Sequence, residues 1–118
     1  ITRHPWVIPV VACDLTGRPI SESNFGSSIG RRGLSAPGAN ITSLGTAGQP
    51  LTLRGTSVAV PFVTGAIALL WSEFSAANAG HVKLAITQAH QLRRASVVPP
   101  LLNGEAAYQN LSTTYARR

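Results

Sequence analysis

The stretch Gly55-Thr56-Ser57-Val58-Ala59-Val60-Pro61-Phe62-Val63-Thr64-Gly65 decides how this chain is read. It opens at a glycine and then runs almost continuously apolar to Trp71, apart from Pro61, Thr64 and Gly65. That pattern predicts a helix from Thr56 to about Phe74, apolar on every face and therefore buried. Ala59, Gly65, Ala66 and Ala68 are small enough to let neighbouring backbone come close. Pro61 is placed in the first turn, where amide groups have no intrahelical partner and a missing N–H costs little. A serine just after a glycine break, at the start of such a helix, has the setting that a hydroxyl nucleophile needs. The turn can expose the oxygen, the free amides of the helix start can stabilise an oxyanion, and Gly55 admits a substrate backbone. The same residues also read as a plain N-cap by Thr56 or Ser57, which is the commoner use of such residues.

Working outward, Trp6 to Cys13 is short, rich in valine and isoleucine and nearly unbroken in apolar character, the pattern of a strand buried on both faces of a parallel sheet. Asp14 to Ser28 is punctuated by Gly17, Pro19, Asn24 and Gly26 and reads as turns, and Ile29 to Arg32 as a basic loop or hairpin tip. Short strands are expected at Leu34–Pro37, Asn40–Leu44 and Thr52–Arg54, with a glycine-bearing loop between the last two. Beyond the long helix, Val82, Ala85, Ile86 and Ala89 recur at helical spacing and predict a helix over 79–91. Asn103 is a good N-cap for a last helix with Glu105 in its first turn, after an extended connector through Pro99-Pro100.

Composition removes several functions. The chain has 118 residues, about one small domain, and its apolar content is that of a globular protein. Its longest unbroken apolar segment, Gly65 to Trp71, falls short of the roughly 20 residues of a membrane span, so no membrane partner is expected. The first residues lack the basic-then-apolar pattern of a cleavable signal. The chain has no methionine, so Ile1 is expected to be a processing product or a cut within a longer sequence. The net charge of +6 is scattered as Arg31-Arg32, Arg93-Arg94 and Arg117-Arg118 with no aromatic interleaving, so no nucleic-acid partner is expected. The single cysteine, Cys13, forms no internal disulfide; it reads as a buried structural thiol, and no metal or cofactor is implied.

Gly55, Thr56, Ser57, Ala59, Pro61 and Gly65 resemble the nucleophile motif of the subtilisin-like serine proteases. Pro5 to Val10 resembles the family's strand before its central loop, Ser23-Asn24-Phe25-Gly26 one of its turns, and Ser35-Ala36-Pro37-Gly38 the Ala-Pro-Gly turn before the nucleophile. Leu102-Asn103 with Ala106-Ala107 resembles the domain's last helix. Two positions depart from the common pattern: Val58 stands where methionine is frequent, and Phe62 where histidine is frequent. The resemblance runs from about Arg3 to Tyr108. It implies an α/β chain, the C-terminal part of a three-layer, parallel-sheet peptidase domain, with residues 1–118 an incomplete segment of it.

The resemblance also implies that Ser57 attacks a peptide carbonyl to give an acyl-enzyme, with its own amide as one oxyanion donor. Leu53, Arg54, Gly55, Thr56, Val58 and Phe25 are the implied substrate contacts, with Leu53, Arg54, Val58 and Phe25 on the leaving-group side. The aspartate, the histidine and an oxyanion-binding asparagine precede the serine by a long way in this family, so none lies in this chain. Asp14, His4, His81 and His90 match no triad position, and Glu22, Glu73 and Glu105 have no motif around them. The expected partners are a peptide or protein substrate and the upstream part of the same domain. A finer resemblance, in Phe62 to Phe74 and in Arg93-Arg94-Ala95 before Pro99-Pro100, is to the proteases of cyanobactin biosynthesis, which process ribosomal precursor peptides. That setting implies a cytoplasmic enzyme, whereas many relatives are secreted. The alternative is a scaffold that has lost its triad and serves as a peptide- or protein-binding module.

Overall fold

In a computed structural model, which describes residues 1–88 and 96–118, the chain folds as a small α/β unit. Its elements are β1 (Val10–Cys13), α1 (Ser27–Arg32), β2 (Leu34–Pro37), β3 (Ile41–Leu44), β4 (Pro50–Leu53), α2 (Thr56–Glu73), α3 (Ala79–Thr87) and α4 (Gly104–Ser112). β1 and β2 pair in parallel, Val10 opposite Leu34 and Cys13 opposite Pro37. Leu101 forms a further parallel bridge beside Ser35, secured by Ser35 N–H to Pro100 O (2.8 Å) and Leu102 N–H to Ser35 O (2.7 Å). β3 and β4 form a separate antiparallel hairpin that leads straight into α2.

The parallel pair is buried because its residues are apolar and small. Val11, Ala12, Cys13, Leu34 and Ala36 are all essentially inaccessible. α2 lies across it through Ala59 and Val63, then continues to Leu70 and Phe74, where α3 and α4 close the core with Val82, Ile86, Ala107 and Leu111. Phe74 is fully buried, with the Tyr108 ring 5.1 Å away and tilted by 58°, within the range of favourable aromatic contacts. Asn78 caps α3 by accepting the His81 amide (2.9 Å), and Asn103 caps α4 by accepting the Ala106 amide (3.0 Å).

Four expectations change. The strand expected from Trp6 starts only at Val10: residues before it form turns closed by His4 O with Val7 N–H (3.0 Å), Pro9 has no N–H for a ladder, and Trp6 is exposed. Ile29–Arg32 is not a loop or hairpin tip but the end of α1, which stops at Gly33. Pro61 is the sixth residue of α2, not part of its first turn, so the carbonyl of Ser57 loses its i+4 donor. And α2 is not buried all round: Ala59, Val63 and Leu70 are covered, whereas Leu69, Phe62 and Trp71 stay open to solvent. By length and composition α2 is apolar enough to cross a membrane, a test that core helices also pass. The part of the expected 79–91 helix past residue 88, with Ala89, His90 and Arg93-Arg94-Ala95, lies outside the described residues.

One contact sets where α2 begins. Gly38 donates its N–H to Cys13 O (2.9 Å) and accepts from the Gly55 amide (2.8 Å). A Cβ at Gly38 would lie 2.5 Å from Ala12 Cβ and 2.7 Å from Gly55 O. Gly38→Ala therefore forces backbone to move, and chemical denaturation should show a loss of about 1–3 kcal/mol. An unchanged stability would mean that the sheet and the α2 start do not approach this closely.

Candidate active site

The hydroxyl of Ser57 sits on the second residue of α2 and is exposed. Its position follows from the turn before it. Gly55 is the N-cap, at φ +128°, a backbone conformation that a side chain disfavours, and no side chain caps the helix. Thr56 and Ser57 therefore do not cap α2, and the plain capping reading of these residues fails. The Val58 amide turns back to Gly55 O (3.1 Å) and the Gly55 amide is taken by Gly38 O. Among the described residues no acceptor meets the amides of Thr56 and Ser57. These two donors lie at the positive end of an 18-residue helix, beside an open hydroxyl. That is the arrangement that binds developing negative charge next to a nucleophile.

The other residues named from sequence are placed as follows. Leu53 ends β4 and is half exposed, Gly55, Thr56 and Val58 are partly covered around Ser57, and Arg54 is exposed between β4 and the N-cap. Phe25 is half exposed on the separate turn before α1. That turn is fixed from below. Ser23 is buried, its Oγ donating to Ala12 O (2.8 Å) and accepting from the Ala12 amide (3.1 Å), while the Ile20 amide donates to the same carbonyl (3.0 Å).

Sequence reading found no motif around Glu22 and missed its pairing with Arg54. It lies between those anchors and grips Arg54 with both oxygens: Nε to Oε1 at 2.6 Å and Nη2 to Oε2 at 3.1 Å. Residues 32 apart in an irregular segment leave no periodic signal by which the pair might have been found. The Arg54 guanidinium holds the Glu22 carboxyl well below its ordinary 4.5, at about 2, with the Ser21 hydroxyl adding a further hydrogen bond. Both side chains are about half exposed, so water screens the pair and its contribution to stability is small.

Among the described residues no histidine or acid hydrogen-bonds the Ser57 hydroxyl. His81 is on α3 against the Tyr115 hydroxyl, and His4 bonds the Trp6 amide. Asp14 is spent on its own turn, accepting from the Thr16 hydroxyl (2.6 Å), the Thr16 amide and the Arg18 amide, bonds that lower its pKa. Glu105 lies in the first turn of α4, and Glu73 ends α2. Cys13 is buried, and that burial, with the Asp14 carboxylate beside it, pushes its thiol pKa up and keeps it inert. Among the described residues no group of three or more histidine, cysteine, aspartate or glutamate side chains is placed to hold a metal.

With this geometry in view, comparison with known proteins defines the class. Residues 2–113 match the profile of the subtilase family, Peptidase_S8, and the chain belongs to that family. A thermostable alkaline protease of Halalkalibacterium halodurans is 35% identical over 86 residues, which span 73% of this chain and 23% of that protein. Among solved structures, patellamide maturation protease PatA superposes with a TM-score of 0.79 at 30% identity, over 92% of this chain and 44% of PatA. The PatG macrocyclase in complex with peptide superposes with a TM-score of 0.71 at 26% identity, over 88% of this chain and 35% of PatG. The chain thus spans less than half the length of each of these relatives.

The Glu22 carboxyl, read by carbon-13 NMR against pH, should titrate near 2, and in Arg54→Gln it should return toward 4.5. Because the folded value is the depressed one, the contribution of the pair is complete above about pH 4.5 and is lost as pH falls toward 2. An ordinary value in the unaltered protein would mean that the pair does not form in solution.

Proposed function

We propose that this chain is the nucleophile-bearing segment of a serine endopeptidase that cleaves peptide bonds through an acyl-enzyme on Ser57. One observation carries the reading: in a chain of the subtilase family, the Gly-Thr-Ser serine has an exposed hydroxyl at a helix start whose first amides are unspent. In the proposed reaction the Ser57 oxygen bonds to the scissile carbonyl carbon as its proton passes to a histidine. The carbonyl oxygen, now negative, is held by the Ser57 amide; the amine then leaves, taking the proton from the histidine. The histidine, its orienting aspartate and an asparagine oxyanion donor come from the upstream part of the domain. The same part covers α2 outside its buried stripe, where Phe62 and Leu69 on one side and Trp71 on the other are exposed apolar side chains that are costly to leave in water.

The substrate we propose is a peptide, and within that class a ribosomal precursor peptide. Support comes from the fold shared with PatA, whose name is that of a maturation protease, and with PatG, a macrocyclase in complex with peptide. Leu53, Arg54, Gly55, Thr56, Val58 and Phe25 would contact it, Gly55 by letting the substrate backbone come close.

In the full-length protein, Ser57→Ala should lower peptide cleavage by about a thousandfold or more with the fold kept by circular dichroism; wild-type rates in Ser57→Ala would end the reading. Residues 1–118 alone lack the general base, so stopped-flow with an activated ester should show no acyl-enzyme burst. A burst on this segment that vanishes in Ser57→Ala would place a competent base within it.

A further inference from the structure

The bidentate pair between Glu22 and Arg54 joins the turn before α1 to the segment that leads into α2. Arg54 is three residues before Ser57, and Glu22 is three residues before Phe25. Both sides have an anchor in the sheet. Glu22 rides on a turn nailed to β1 by the buried Ser23 and Ile20. Arg54 follows a hairpin whose outer residues Leu44, Leu51 and Leu53 are exposed. Arg54 is itself followed by Gly55, which is held to Gly38, so the pair links two anchored segments and fixes the side chain of Arg54 between them.

The charge matters as much as the tether. The chain carries +6, and an uncovered guanidinium this close to the nucleophile would draw acidic substrate residues toward it. Glu22 takes the Nε–Nη2 edge of that guanidinium with both carboxylate oxygens and places a full negative charge against it. A substrate carboxylate that approaches Arg54 meets a guanidinium whose charge Glu22 already compensates.

We propose that Glu22 and Arg54 are a specificity-determining pair, which keeps the wall beside Ser57 on the leaving-group side electrically neutral and so suppresses selection for charged residues just past the scissile bond. This rests on Ser57 being the nucleophile of a peptidase. Removing either partner exposes the other, and the preference then takes the sign opposite to the charge left behind. A purely structural role predicts lower activity with an unchanged preference.

The test uses the full-length protein and internally quenched peptide mixtures, randomised at the first two positions after the cleaved bond. Unaltered enzyme should show little discrimination between acidic and basic residues there. Glu22→Gln should gain about two- to fivefold for Asp and Glu over Lys and Arg, the range expected of one exposed charge pair. Arg54→Gln should gain as much in the opposite direction, and the exchanged double variant Glu22→Arg/Arg54→Glu should return to the neutral profile. Half-molar salt should flatten the profiles of both single variants. Unchanged preferences in the single variants, or an exchanged variant that fails to restore neutrality, overturn the proposal. Ser57 labelling by a fluorophosphonate, read in the same samples, separates the two claims. Labelling with unaltered preferences sinks the charge pair alone, whereas no labelling and no cleavage sink the peptidase reading and the charge pair with it.

Discussion

The whole site turns on the hydrogen bond from the Gly55 amide to the Gly38 carbonyl, 2.8 Å long. It ties the end of the β2 turn to the residue that starts α2, and it forms only because neither partner has a side chain in the way. At Gly38 the reason is space, since a Cβ would collide with Ala12 and with the Gly55 carbonyl. At Gly55 the reason is torsion: there is room for a Cβ, but φ is +128°. The two glycines answer different constraints and produce one result, a helix whose second residue shows its hydroxyl to the outside.

Most of this architecture was written in local chemistry. Leu34–Pro37 was legible as a short strand because it is apolar and bounded by turns, and the last helix because Asn103 is a strong cap. Ser57 was legible through the resemblance of Gly55, Thr56, Ser57, Ala59, Pro61 and Gly65 to the nucleophile motif, since its local setting alone reads more readily as a helix cap. The fold of the whole likewise came from resemblance, since the parallel pair of strands is only four residues on each side and no period marks it.

What escaped did so for physical reasons. The pattern of α2 is apolar on every face, so it carries no direction, and sequence had no means of telling its covered edge, Ala59, Val63 and Leu70, from its open one. The helix Ser27–Arg32 is only six residues long with Gly30 inside it, too short to show a period, and it is held by packing: Gly30 meets the backbone of Ser96 and Val97 so closely that no other residue fits. Glu22 escaped because an ion pair across 32 residues is a tertiary fact.

The central claim is that the Ser57 oxygen is an accessible nucleophile beside a spare amide. A crystal structure of the full-length protein soaked with a peptide boronic acid tests it most directly. The account predicts a covalent bond from Ser57 Oγ to boron, with one boronate oxygen about 3 Å from the Ser57 amide. A boronate bound elsewhere, or a Ser57 side chain closed off beneath other residues, would contradict it.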